Sequence, residues 1–576
     1  MVESLASTRT RRRSRSTLVI ALGALLALLV PIGANAARGG ATTTIQILDI
    51  SDWHAQLDPN GAIGGAAALS TYFKADRAAN PNTITLTAGD DFGASPPISA
   101  FFDDVPAILG ERLMGIQVGT FGNHNFDGGI DHLQDLIDLA GSTDPSVVGT
   151  PLQYVSANLT NRDANLTGVE DYKIFQFKGV KVAVIGITNP EAPSLVFPGN
   201  FGTIVPSEPI AAAMRARAAA RAEGAKVFVA ITHMGIEGRD SQNQAFGPLV
   251  DFAKGLSGFT FVIGDHTNFL YEDEINGALV VENLSKSLSY SRLSLTVRRG
   301  RADVVARSNT FVTPTASLVT PDQAVLNMLT PYRDALRPIL GVGLGDSNVA
   351  VPRGDSCGSS NGRLCESLIG DVVTDSMLAH TGASLALTNA GGLRADLTCP
   401  APDVSTDFCP AFSPPPFPIT RGQTFAVLPF GNFAVTIDVN GSELKAMLEQ
   451  GFSGLPGASG GFPQVAGMCV TYDIQAAPLS RVTGVVRQAT DGTCSGPALG
   501  LTASSTYTLA TNDFTAAGGD AYPNFASRVM SDGTTLERAL ADYIRAQGTL
   551  TPTIQGRITC ADSEPAMAPA CPVIVS

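Results

Sequence analysis

Five short apolar runs in the first half of the chain each lead directly into a residue that can bind a metal ion. This recurrence constrains the fold more than any other feature. The runs cover 44–50, 83–88, 117–121, 227–232 and 259–264, and they are followed by Asp52, Asp90, Asn123, His233 and His266. Their length and flanking turns predict buried strands, and the helix-like stretches between them predict an α/β domain over 42–295. Sites in open α/β sheets form outside the carboxyl ends of strands, so the five coincidences predict one shared site.

The residue types at these ends suit divalent cations. Asp52 and His54 stand two apart, a spacing that turns both side chains to one side of an extended segment, and a carboxylate with an imidazole suits zinc or manganese. Asp90 follows Gly89, which permits a tight turn, and Gly122-Asn123-His124-Asn125-Phe126-Asp127, Thr232-His233-Met234-Gly235 and Gly264-Asp265-His266-Thr267-Asn268 complete the set. Any one strand-end histidine is as readily a loop residue satisfied by backbone. Four of the six histidines stand at these ends, however, while His132 and His380 read as structural, one off an apolar stripe and one closing a helix before Gly382.

The ordered blocks resemble those of the calcineurin-like metallophosphatases, and the second half of the chain resembles the C-terminal domain of the 5'-nucleotidase family. The resemblance implies an α/β fold: a four-layer αββα metallophosphatase domain followed by a smaller α/β domain. It implies two divalent metal ions, zinc or manganese. Asp52, His54, Asp90 and Asn268 would hold one, and Asp90, Asn123, His233 and His266 the other, with Asp90 shared. His124 would act on the substrate, oriented by Asp127 three positions on. Three positions depart from the family pattern: Asn125 where an acid is common, Asn268 where Gln or His is usual, and Asp265 in place of glycine.

Four blocks of the second half carry the rest of the resemblance. Arg363 to Asp371 matches the opening of the C-terminal domain, and Asn389-Ala390-Gly391-Gly392-Leu393-Arg394 matches a glycine-rich block. Arg363, Asn389 and Arg394 would meet the substrate phosphate, for which the planar guanidinium is well shaped. Phe430 and Phe514 would sandwich the base and Asp520 would take the ribose hydroxyls, whereas Phe425, Phe433 and Phe452 read as core residues. The implied activity is release of phosphate from nucleoside 5'-monophosphates, extending to di- and triphosphates. Alternatives on the same architecture are a 2',3'-cyclic-nucleotide phosphodiesterase or a UDP-sugar hydrolase, and from another class a non-catalytic nucleotide-binding or adhesion protein.

Length and ends set the organisation. A chain of 576 residues is too long for one core, and the expected division is a leader at 1–36, a catalytic domain at 37–310, a linker at 311–345 and a substrate-binding domain at 346–576. The leader reads as a secretory signal peptide. Five arginines between Arg9 and Arg15 precede an apolar run at 18–32, shorter than a membrane span, and Ala34 and Ala36 supply a small-residue cleavage site. A released extracellular or cell-envelope protein, with no membrane attachment after cleavage, is the expectation. Loss of the leader would leave 33 basic against 51 acidic residues, a balance that argues against nucleic acid as a partner and for a small nucleotide met by locally concentrated positive charge. The linker helix, with Pro331 and Pro338 inside it, is expected to kink or break. All eight cysteines lie beyond position 356. Their spacing in an exported chain predicts disulfides 357 with 365, 399 with 409, 469 with 494 and 560 with 571.

Overall fold

The computed structural model describes residues 41–358, 361–399, 415–563 and 568–575. The expected leader therefore lies outside the described residues, as does Cys409.

Two stacked sheets form the first part. The first runs in the order Val304–Ser308, Tyr290–Arg298, β1 (Thr42–Asp49), β2 (Thr83–Thr87), β3 (Val118–Gly119) and Gln153–Tyr154, with Phe311–Val312 also paired to Tyr290–Arg298. The second contains, as consecutive parallel neighbours, Val180–Ile187, β4 (Val227–Thr232), β5 (Phe261–Gly264) and β6 (Ala278–Glu282), with antiparallel edge strands Tyr172–Phe177 and Tyr271–Ile275. Parallel strands covered on both faces need continuous apolar sequence rather than alternation. Accordingly β2, β4, β5 and β6 are buried at every position. Ile45, Ile47, Leu86, Val229, Ile231, Ile263 and Val281 meet between the sheets. Each such side chain contributes about 1.5–3 kcal/mol of burial.

Helices close both outer faces. Helix α1 (Ala66–Ala79) and α2 (Val105–Met114) pack on the first sheet, and Pro209–Ala222 with Pro248–Gly255 pack on the second. The result is the four-layer αββα arrangement that the resemblance implied. The five strand ends come from two different sheets, β1 to β3 from one and β4 and β5 from the other, and they converge at one end of the sandwich.

The segment expected to kink is one helix, α3 (Gln323–Leu340), which continues through Pro331 and Pro338. Asp322 caps it by accepting from Ala324 N, and Thr330 Oγ1 donates to the Leu326 carbonyl. Its buried face, Val325, Leu329, Leu336 and Leu340, lies in the same cluster as Trp53, Phe73 and Ile108. This packing keeps the helix continuous where the missing amides weaken it.

Beyond α3 a four-stranded sheet runs in the order Ala434–Asn440, Thr506–Asn512, Leu385–Asn389 and Pro463–Ala466. Apolar clusters cover its two faces. Disulfides join Cys357 to Cys365, Cys469 to Cys494 and Cys560 to Cys571, and Cys399 is also disulfide-bonded. Of the three phenylalanines read as core, only Phe452 is fully buried. Phe433 is 41% exposed, and Phe425 packs edge-on against Phe101 of the first part, their ring centroids 4.6 Å apart. Phe425 therefore packs on the first part and not in the core of the second.

Candidate active site

The loops leaving β1, β2 and β5 hold their polar side chains in a backbone conformation that non-glycine residues rarely adopt. Asp52, His54, Asp90, His266 and Asn268 have φ of 48°, 49°, 46°, 92° and 65°. Such positions cost of order 1–3 kcal/mol each and persist where surrounding structure fixes them. Close approach explains the neighbouring glycines. A Cβ at Gly89 would sit 2.6 Å from Gly122 N and 3.0 Å from His233 Nδ1, and one at Gly122 would overlap the Asp90 carboxylate.

Asp90 is central. Its Oδ1 accepts from His124 N at 2.8 Å, and its Oδ2 lies 2.9 Å from His233 Nε2. His266 Nδ1 is 3.1 Å from His233 Nε2. On the other side His54 Nε2 lies 3.5 Å from Asp52 Oδ1, while its Nδ1 donates to the Gly93 carbonyl at 2.8 Å. That hydrogen bond fixes the tautomer and leaves Nε2 as a lone-pair donor. Burial holds His54 below its ordinary pKa, and burial together with the His233 charge brings His266 to about 3. Both are therefore neutral at pH 7, the state in which imidazole coordinates a cation.

Donor chemistry tests whether the site suits metal ions. Asp90, His233 and His266 form one group of ligand atoms within 4.8 Å of one another, and Asp52, His54 and Asp90 form another, so Asp90 belongs to both. Asp52 Oδ2, Asn123 Oδ1 and Asn268 Oδ1 are buried without hydrogen-bond partners. Buried acceptors left unpaired cost about 1–3 kcal/mol each, and a cation is the partner that would satisfy them together. The residues present fit divalent cations.

Asp265 joins a third group with Asp52 and His233, its Oδ2 3.4 Å from His233 Nδ1. It stands behind the histidine, as carboxylates commonly do at metal sites. His124 Nδ1 meets Asp127 Oδ2 at 2.9 Å, and Asp127 Oδ2 also accepts from Ala94 N at 3.1 Å. The other two histidines bind away from this cluster, His132 to the Asp103 carbonyl and His380 to Asp532.

The second part supplies positive charge. The Nε atoms of Arg353, Arg363 and Arg394 are all buried without partners. Burial and the charge of Arg394 bring Arg363 down to about 10, and burial lowers Arg394. Burial, Arg394 and Arg363 hold Arg353 well below its usual value. Arg394 thus acts on both of the others and Arg363 on Arg353, so the three guanidiniums concentrate positive charge in one place. Arg353 is invisible in sequence, where nothing distinguishes it from a surface arginine. Lys286 is equally silent, yet its amide donates to the Asp52 carbonyl at 2.9 Å and its Nζ to the Arg394 carbonyl at 3.3 Å, linking the two halves.

The remaining predicted residues fall into two places. Phe430 stacks on His124, with ring centroids 5.6 Å apart and planes 18° apart, and the Arg394 guanidinium lies 5.7 Å from the Phe430 centroid. The Phe514 ring lies against Gly519. Asp520, with φ of 52°, accepts from Asn389 Nδ2 at 2.8 Å, and Asn389 Oδ1 accepts from Asn512 Nδ2 at 3.0 Å. Asn389 thus holds Asp520 in place.

Residues 344–527 match the family described as 5'-nucleotidase, C-terminal domain. The chain is 26% identical to Endonuclease YhcR of Bacillus subtilis over 82% of its own length and 37% of the relative's, so it spans just over a third of that protein. It is 24% identical to a 5'-nucleotidase of Vibrio cholerae over 92% of this chain and 96% of the other. Among solved structures, the 5'-nucleotidase precursor from Thermus thermophilus superposes with a TM-score of 0.76 at 24% identity, covering 91% of this chain and 100% of that one.

Proposed function

From the premise that this chain belongs to the 5'-nucleotidase family, we propose that it is an exported, metal-dependent phosphohydrolase. Its substrates would be nucleoside 5'-monophosphates, with di- and triphosphates as further ones. The observation that carries the reading is the meeting of the two-group ligand cluster around Asp90 with three unpaired buried arginine Nε atoms. A cation site beside an anion site, both left unsatisfied, suits a phosphate ester.

In this reading Asp52, His54, Asp90 and Asn268 hold one divalent ion, and Asp90, Asn123, His233 and His266 hold the second. Bound there, the pair supplies Lewis-acid polarisation of the phosphoryl group and acidification of an attacking water. Arg353, Arg363 and Arg394 grip the phosphate oxygens and orient the phosphorus. Asp127 keeps the proton on His124 Nδ1 when the ring is neutral, and the protonated ring donates from Nε2 as charge grows on the leaving O5'. The P–O5' bond breaks, and the nucleoside and phosphate depart.

Phe514 and Phe430 would hold the base and Asp520 the ribose, so the nucleoside bridges the two parts. We place the division near 37–310 and 346–576, with closure about the segment 311–345. Because α3 is packed into the core of the first part and Gly343–Ser347 pairs as a strand with Phe417–Thr420 of the second, Gly341 between them is the place for movement. The leader at 1–36 and the disulfides suit an exported protein. A panel of AMP, ATP, 2',3'-cyclic AMP and UDP-glucose at equal metal loading tests the substrate class. Preferred turnover of the cyclic diester or of UDP-glucose would replace this reading with one of its two relatives.

A further inference from the structure

The loops that carry His233 and His266 leave adjacent parallel strands, β4 and β5, and touch each other beyond them. Asp265 N donates to the Met234 carbonyl at 3.0 Å. The contact is tight enough to demand glycine at 235, where a Cβ would lie 2.6 Å from the Asp265 carbonyl oxygen and overlap Thr267 Oγ1. Backbone packing alone leaves one question open: what fixes the two loops in register, so that His233, His266 and Asn268 converge.

Glu282 is the last residue of β6, in register with Gly264, the residue that ends β5. It is fully buried. Its Oε2 accepts from Ile236 N at 2.9 Å, in the His233 loop. Its Oε1 accepts from Thr267 Oγ1 at 2.7 Å and from Phe269 N at 3.1 Å, both in the loop that bears His266 and Asn268. One rigid carboxylate at a strand end therefore fastens both loops, one oxygen to each, and it touches none of the residues read as ligands. We propose that Glu282 is a positioning residue of the metal centre, setting the spacing between the His233 loop and the His266–Asn268 loop.

This inference rests on the metal reading given above, and the test separates the two. Manganese(II) alone is titrated into chelator-treated wild type, Glu282→Gln and Thr267→Val, and binding is followed by the electron paramagnetic resonance of the free ion. In Glu282→Gln the amide nitrogen replaces one oxygen. Whichever way it faces, it meets a backbone N–H as donor against donor, while volume and packing are kept. Loss of an outer partner of this kind weakens metal binding by about 10- to 100-fold. That loss is expected for Glu282→Gln, and a smaller one for Thr267→Val, which removes one of the three bonds. Thermal unfolding of the metal-free proteins supplies the readout for a merely structural role. Variants that melt lower yet bind manganese as wild type does overturn the inference while leaving the metal reading intact. A wild-type chain that binds no manganese overturns both.

Discussion

The nucleoside clamp yields the most quantitative test, because the structure supplies two independent ways to disturb it. Phe514→Ala removes the ring. Gly519→Ala leaves the ring but builds a Cβ 2.5 Å from its Cε1 and closer still to Cε2 and Cζ. Ordinary carbon contacts lie at about 3.5–4.0 Å, so the ring must move by about 1 Å. Gly519 does not occupy the left-handed region, so alanine itself is accommodated by the backbone. Stacking on a base contributes about 1–3 kcal/mol, and Phe514→Ala should therefore lower kcat/KM for AMP by roughly 5- to 150-fold. A gap of 0.5–1 Å forfeits about a quarter to a half of a contact's attraction, which sets the loss for Gly519→Ala at roughly 1.5- to 13-fold. The assay compares AMP with p-nitrophenyl phosphate on one preparation of each variant at equal metal content. The aryl ester makes no ribose contact, so its kcat/KM should change little. Equal losses on both substrates, or a larger loss in Gly519→Ala than in Phe514→Ala, would refute the clamp and assign Phe514 to the fold.

Three further outcomes follow from the geometry. His124→Ala should lower turnover by about 10²- to 10⁴-fold with metal content nearly unchanged, whereas Asp90→Asn should deplete both ions together; metal analysis beside kinetics distinguishes them. The metal-free protein should lose stability as pH rises from 6.5 to 8. Burial raises Asp49 to about 7, and His233, against its burial, is held above its usual value by Asp90 and Asp265. Both keep protons in the folded chain that the unfolded chain releases, and His54 and His266, depressed by burial, add an opposing slope that fades as the unfolded imidazoles finish losing their protons, so the loss is steepest above about pH 7. A thermal midpoint that climbs across this interval would contradict the assignment. Non-reducing peptide mapping should recover Cys357 with Cys365, Cys469 with Cys494 and Cys560 with Cys571, and join Cys399 to Cys409; a link between any two of these brackets would contradict it.

Much of the cation cluster was legible because its residues sit where strands end, and a strand's end shows in sequence as an apolar run meeting glycine and polar residues. Asp52, Asp90, His233 and His266 are all of this kind. Residues that act from behind were not. Glu282 reads as the polar end of one more strand, and its importance lies in two loops more than ten residues away in sequence. Asp265 was visible only as a departure from pattern, and the structure gives it a place beside His233 Nδ1. Arg353 and Lys286 owe their roles to the approach of the second part, which no local pattern encodes. The same approach sets Phe425 against Phe101, where hydrophobicity alone suggested a core within the second part. The continuity of α3 was hidden for a related reason, since its prolines weigh against a helix locally and its tertiary contacts decide the outcome.

The central claim is that this cluster and these arginines hydrolyse a nucleotide with the help of bound divalent ions. Phosphate release from AMP by the purified protein, measured as prepared, after removal of metal by a chelator, and after manganese or zinc is restored, tests it most directly. The account predicts turnover as prepared, its loss on chelation and its return with either ion. Turnover that survives complete metal removal, or no turnover in a protein shown to hold two ions, would contradict it.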